Sequence, residues 1–213
     1  MEINRGFDLW QNNYFVLFAL QHPWSVAILD EDLEAECSGS LLTPTLVLTA
    51  GHCHDGKSSK YKPLENLTLA FGIDNLNHLK IPPLIKAKGI ETRKIKRAIH
   101  YPKYNHPEAY SDILLFEIDG EVPLSGTIHP ICIPDTPNPD PNHLNMNSGI
   151  VVGFGPKPFD DLKTMNQIAQ KVRSHTWCKR RYLPSNADID FRDLIIEELP
   201  NSFDDSLLCA QNT

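Results

Sequence analysis

The sequence has no apolar run long enough to cross a bilayer as a helix. Residues 14–20 form the one apolar stretch near the N-terminus and number seven, whereas a span needs about 20. Glu2 and Asp8 outweigh Arg5 ahead of that stretch, and no small-residue cleavage site follows it. It is expected to pack on the domain as a strand-like segment rather than to act as a secretory signal. Positive charge is also scarce. The 20 Lys+Arg against 27 Asp+Glu give a net charge of −7, which argues against a general nucleic-acid binder. No C-x-x-C pair occurs among the five cysteines, Cys37, Cys53, Cys132, Cys178 and Cys209, so no structural zinc site is expected. His52 and His54 stand two apart, a poor ligand spacing on a helix, and neither a metal nor a cofactor is expected. Low-complexity tracts are missing too. With 41% hydrophobic residues in 213, the chain can build one or two packed domains.

What is present is a series of short apolar runs rich in β-branched residues and broken by Gly, Pro, Asn and Asp. Strands are expected at 24–29, 37–42, 46–49, 67–71, 94–99, 113–118 and 149–155. Repeated short strands with turn signals argue for an all-β barrel or sandwich. Helix is expected only at 161–172 and 189–199. Pro123, Pro130, Pro134, Pro137, Pro139 and Pro141 crowd into 119–148 and mark a connector between lobes. The expected organisation is an N-terminal segment 1–21, a first β-lobe 22–118, the connector 119–148 and a second, short lobe 149–213. Lys80, Lys86, Lys88, Arg93, Lys94, Lys96 and Arg97 form a basic stretch, read as a solvated loop and strand face or as an anion or partner site. The wide cysteine spacing suits disulfides and an oxidising compartment. Asn66-Leu67-Thr68 is an N-glycosylation sequon; an unmodified surface turn is the other reading of Asn66.

In Leu46-Val47-Leu48-Thr49-Ala50-Gly51-His52-Cys53, an apolar strand ends in a tight small-residue turn that presents a histidine. A histidine held in that way suits a general base. With His22-Pro23-Trp24-Ser25-Val26 and Cys37-Ser38-Gly39-Ser40-Leu41-Leu42, this run resembles the start of a chymotrypsin/trypsin-like serine protease domain. His100-Tyr101-Pro102-Lys103-Tyr104-Asn105 and Ser111-Asp112-Ile113-Leu114-Leu115 resemble the approach to that family's catalytic aspartate. His129-Pro130-Ile131-Cys132-Ile133-Pro134 is similar to its interlobe connector, and Val151-Val152-Gly153-Phe154-Gly155 to the first strand of its second barrel. Leu207-Leu208-Cys209-Ala210 resembles the segment upstream of its nucleophile loop. The resemblance covers about 22–213, and the shared order of the motifs carries it.

The resemblance implies an all-β fold of two six-stranded antiparallel β-barrels, the second incomplete here. It implies proteolysis through an acyl-enzyme, with His52 as general base and Asp112 as the carboxylate that orients it; this family is the standard template for that mechanism. Residues 52 and 112 lie 60 apart, against about 45 in the template, and loops in 54–98 would absorb the excess. The family's Gly-Asp-Ser-Gly-Gly nucleophile loop has no counterpart, since no Gly-x-Ser-Gly stretch occurs in the sequence. Ser206 follows Asp204-Asp205 without flanking glycines and reads as a turn residue. Nor does the N-terminal segment carry the family's activation terminus: the matching region reads Gln11-Asn12-Asn13-Tyr14. The chain is therefore expected to be a serine-type endopeptidase domain, C-terminally incomplete and inactive as it stands. The alternative is a non-catalytic secreted homologue that acts as a binding or cofactor protein.

The resemblance also implies disulfides Cys37–Cys53 and Cys178–Cys209, the first bracing the turn of His52. Cys132 is left over, either a free thiol or the link to an upstream regulatory or propeptide module. The expected partner is a protein or peptide substrate, in an extracellular setting, with no nucleic acid and no membrane span.

Overall fold

The structure is a computed structural model that describes residues 19, 21–55, 63–104, 111–133, 148–154, 163–174, 176–178 and 209–212. These fall into two units, one within Met1–Ile99, Leu114–Ile133 and Val152–Asn166, the other within His100–Ile113, Pro134–Val151 and Gln167–Thr213. The chain is mostly β. Among the described residues ten strands run in order: β1 (Ser25–Leu29), β2 (Ala35–Thr43), β3 (Leu46–Thr49), β4 (Thr68–Phe71), β5 (Glu91–Arg93), β6 (Ile95–His100), β7 (Leu114–Ile118), β8 (Ser148–Phe154), β9 (Met165–Val172) and β10 (Ala210–Asn212). The α-helix α1 (Pro82–Lys88) lies between β4 and β5.

The first sheet has the order β5-β4-β1-β2-β3-β7-β6. Its two outermost strands, β5 and β6, are consecutive in the chain and separated only by Lys94. The sheet therefore curls round on itself, and its seven segments amount to six strands with one broken in two. Lys94 sits at the break. Its carbonyl accepts from Asp119 N–H at 2.9 Å. Its ammonium donates to Glu65 O at 2.9 Å, Thr68 Oγ1 at 3.1 Å and Leu67 O at 3.3 Å. One residue thus ties the β7 side of the seam to the β4 side.

Strand β1 explains where the core lies. All five of its residues are buried, as expected of a continuous apolar run covered on both faces. Side chains alternate across a strand. Val26 and Ile28 accordingly join Leu41, Val47, Leu69, Phe71, Leu114 and Phe116 in one cluster. Ala27 and Leu29 join Ala70, Ile73, Leu76, Leu79 and Ile90 in another. Gly39 on β2 has no room for a side chain, because a Cβ there would come 2.7 Å from Val47 Cγ1 and 2.9 Å from the Leu48 carbonyl.

The strands at 46–49 and 67–71 form within a residue of their expected bounds. The segment 161–172 does not form the expected helix. Among its described residues, Met165–Val172 is strand β9, in a three-stranded sheet of order β10-β9-β8. Met, Gln, Ala and Lys in this segment favour helix locally, and Met165, Ile168 and Val172 also fit a helical spacing. Ladder pairing decides against it: Ala210, Gln211 and Asn212 pair with Val172, Lys171 and Gln170. The expected helix at 189–199 lies outside the described residues, as does residue 155 of the strand expected at 149–155. The basic stretch contains an element that was not expected, α1. Pro82 and Pro83 begin it, and Gly89 ends it with a left-handed φ of 64°, the usual proline-first, glycine-last asymmetry.

Gly39→Ala is expected to lower the stability of the chain by about 1–3 kcal/mol, since one of the clashing atoms is backbone. Gly149→Ala, where nothing lies within 4 Å of the new methyl, should change it by less than about 0.5 kcal/mol. Urea unfolding of both variants beside the parent checks the contrast; equal losses would contradict the packing described.

Candidate functional site

His52 is presented by a single 3-10 turn, Gly51–His54, separated from the end of β3 by Ala50 alone. Ala50 and Asp55 on either side are extended, and Cys53 N–H closes the turn on Ala50 O at 3.2 Å. Gly51 is buried, so the chain turns against the domain while the histidine faces outward and is exposed. Two tethers hold the turn. Cys53 forms a disulfide with Cys37 on β2. Thr49, the last residue of β3, donates its hydroxyl to Ser38 O at 2.9 Å and reaches Cys53 Sγ at 3.5 Å. By chain entropy, a bridge over 16 residues is worth about 3 kcal/mol.

A ring nitrogen of His52 and the sulfurs of Cys37 and Cys53 lie within 4.8 Å of one another. Both sulfurs are committed to the disulfide, and thiolate is what a metal would require, so the donor set does not fit a metal ion. His54 packs edge-on against Phe116, ring centroids 6.1 Å apart, while Asp55 is buried. Neither follows the outward path of His52.

Ser38 adds a contact that sequence reasoning missed. Its hydroxyl accepts Phe154 N–H from β8 at 2.9 Å. A Cβ on Gly153 would lie 2.9 Å from the same oxygen, so only glycine allows β8 to come this near. The small residues Ser38 and Gly153 were the available signal, but nothing local in the sequence pairs positions so far apart.

Asp112 belongs to the second unit and is half-buried. It is the central residue of a three-residue turn, closed by Ile113 N–H donating to Ser111 O at 2.8 Å. Ser111 has φ 54°, a left-handed conformation that costs a serine on the order of 1 kcal/mol. Ile113 O is in turn engaged by Tyr101 N–H at 2.9 Å, and His100 stacks on Tyr104 at 5.8 Å. The conformation of the aspartate segment is thus fixed from both sides.

Of the other residues singled out from sequence, Cys178 and Cys209 are bridged and buried. Cys132 is exposed and forms no disulfide. Asn66 ends the 3-10 turn Leu64–Asn66. Ser206 lies outside the described residues.

Asp74 is only 4% exposed and carries two basic neighbours. His78 Nδ1 is 3.2 Å from its Oδ1 and Lys88 Nζ 3.9 Å. The carboxylate joins the turn Leu76–Lys80 and α1 to the end of β4, and its backbone carbonyl accepts Met165 N–H at 2.8 Å. Burial and the Lys88 ammonium push the His78 imidazole below its ordinary pKa, outweighing the pull of Asp74.

Thr49→Val keeps the side-chain volume and leaves Ser38 O without its donor. It is expected to destabilise the chain by about 1 kcal/mol, and by less in a Cys37→Ser/Cys53→Ser background, where the turn has already lost one tether. A double-mutant cycle read by urea unfolding tests this, and strict additivity would show that the two tethers act independently. A second expectation concerns pH. His78 binds its proton less readily folded than unfolded, so stability is retained above the unfolded histidine pKa of about 6.5 and declines as pH falls through and below it. His78→Gln should show a flatter decline between about pH 7 and 5; identical profiles for parent and variant would refute the assignment.

Comparison with known proteins matches this architecture. The family model described as Trypsin matches residues 18–210. Coagulation factor IX of Oryctolagus cuniculus is 34% identical over 137 residues, covering 63% of this chain and 44% of that protein. Human transmembrane protease serine 11A is 25% identical over 166 residues, covering 77% of this chain and 35% of its own. The chain thus spans less than half the length of these curated relatives. The solved structure of neuropsin, a serine protease expressed in the limbic system of mouse brain, superposes with a TM-score of 0.63 at 20% identity, covering 90% of this chain and 70% of that one. At that identity the likeness is one of fold, a mostly β chain with a curled sheet and a second sheet. On the family match, which takes in most of its length, the chain belongs to the trypsin family of serine proteases.

Proposed function

We propose that these residues form the histidine- and aspartate-bearing part of a serine endopeptidase domain that hydrolyses peptide bonds through an acyl-enzyme. A serine hydroxyl is a poor nucleophile, so catalysis needs an imidazole to take its proton and a carboxylate to fix and stabilise that imidazole. His52 is the general base and Asp112 the orienting carboxylate. The observation that carries the assignment is the pairing of β3 with β7. Thr49 and Leu114 are register partners. The chain leaves Thr49 toward His52, and it arrives at Leu114 from Asp112. Segments 22–118 and 149–213 are taken as the two lobes and 119–148 as their connector. Protein and peptide substrates follow from the family, and side-chain chemistry alone suffices, without a cofactor. The two disulfides and the likeness to a coagulation factor favour a secreted, extracellular setting. The exposed Cys132 thiol suits a cross-link to an upstream regulatory or propeptide module.

The second reading is a non-catalytic secreted homologue that acts as a binding or cofactor protein; the 213 residues hold no Gly-x-Ser-Gly stretch under either reading. Under either reading, the polypeptide of these residues alone holds no serine nucleophile and no oxyanion loop. Loss of one oxyanion donor costs about 3 kcal/mol of transition-state stabilisation, and loss of the nucleophile ends covalent catalysis.

The 213-residue chain is expected to take up no serine-reactive fluorophosphonate. Stoichiometric labelling that depends on His52 would overturn this account. Reading the transcript past Thr213 separates the two functions: an in-frame Gly-Asp-Ser-Gly-Gly segment supports the endopeptidase, and a verified stop codon the binding protein.

A further inference from the structure

We infer that Asn66 carries an N-linked glycan. Asn66-Leu67-Thr68 is the single Asn-x-Ser/Thr sequon in the sequence, and its middle residue is not proline. Sequons are common, so the case rests on how this one is held. Leu64–Asn66 is a 3-10 turn, with Asn66 N–H donating to Pro63 O at 3.0 Å and Leu67 N–H to Leu64 O at 3.1 Å. Leu67 is buried and Thr68 opens β4. The Lys94 ammonium bonds Glu65 O, Leu67 O and Thr68 Oγ1. Every residue beside Asn66 is therefore committed to the fold. Asn66 itself is partly exposed. Its side-chain amide bonds to no described residue and is not among the buried polar atoms. A substituent on that nitrogen displaces no hydrogen bond to a described residue. The two disulfides, Cys37–Cys53 and Cys178–Cys209, point to the oxidising compartment in which such a transfer takes place.

The donor is a lipid diphosphate-linked oligosaccharide. A bond forms between Asn66 Nδ2 and the anomeric carbon, the bond from that carbon to the diphosphate oxygen breaks, and the lipid diphosphate leaves. The amide gives up one proton and nothing is oxidised or reduced. Transfer meets the chain before it folds, so the requirement on the native structure is only that it accommodate the product. The glycan then stands beside the Lys94 seam of the first sheet. Its presence does not depend on whether the domain is catalytic, so failure here and failure of the serine-protease reading are distinguishable.

The experiment expresses the whole 213-residue chain behind a cleavable leader in mammalian cells. Leader removal confirms entry, and total cell protein is read because transfer precedes folding. Treatment with a glycan-releasing amidase is expected to lower the apparent mass of the parent by one glycan and to convert residue 66 to Asp in the peptide mass. Thr68→Ser, which keeps both the sequon and the hydroxyl, should behave like the parent. Asn66→Gln and Thr68→Ala should run at the amidase-treated position without treatment. A leader-processed parent whose mobility the amidase leaves unchanged, with residue 66 read as unmodified Asn, would overturn the proposal.

Discussion

The closure of the first sheet at Lys94 is the constraint on which the rest depends. Residues 91–100 supply both outer strands, β5 pairing with β4 and β6 lying beside β7. A sheet curled in this way leaves only β5 and β6 with a single neighbour, and the strands between them can be short because each has two. That is why β1 can be apolar on both faces, and why strands of four or five residues such as β3 and β7 keep their register. The strand breaks where it does because of chemistry rather than shape. A lysine can direct its carbonyl to one side and its ammonium to three oxygens on the other, while its stem crosses the gap between them.

The histidine turn depends on that closure in turn. β3 has a neighbour on each side, β2 and β7, so Thr49 enters the turn in a fixed direction. The disulfide to Cys37 and the Thr49 hydroxyl then act on the next four residues. A small-residue turn without such tethers would let the imidazole wander, and in the proposed role of general base a misplacement of about an ångström would cost on the order of 100-fold in rate. On the aspartate side, backbone hydrogen bonds do the corresponding work. They hold Ser111 at a positive φ, a strain that persists only where the surrounding structure over-determines it.

Much of this was legible in the sequence, for a physical reason. Buried strands need runs of β-branched and apolar residues, and those runs stand out at 24–29, 46–49 and 113–118. The two disulfide pairs were legible because their motifs occur in family order, and the same order is what singles out His52 and Asp112 as candidates. What was not legible depends on partners distant in sequence. The Phe154 N–H that Ser38 accepts comes from 116 residues away. β9 has the composition of a helix and becomes a strand through its neighbours. Nothing in the sequence marks Asp74 as buried, and its contact with Lys88 comes from the packing of α1. Helix α1 carried its own signals in Pro82-Pro83 and Gly89, but the surrounding lysines drew attention to charge rather than to capping.

The basic stretch shows why charge counted along a sequence is a weak guide to a binding surface. Arg93 bonds Glu91 and Glu121 O, Lys88 lies by Asp74, and Lys80 by Glu34. Lys96 and Arg97 share the Glu117 carboxylate at 2.6 Å each, and their hydrogen bonds hold its carboxyl below the usual range. A ligand anion at this strand would compete with a carboxylate already in place and would have to leave that carboxylate without its partners. Exposed ion pairs add little to stability, but they neutralise the field that would otherwise gather anions. Six cations that look unopposed in the sequence, Lys80, Lys88, Arg93, Lys94, Lys96 and Arg97, thus have their partners supplied by the fold. Arg93, Lys94, Lys96 and Arg97 lie along the edge segments of the first sheet, whereas Lys80, Lys86 and Lys88 belong to the turn Leu76–Lys80 and to α1.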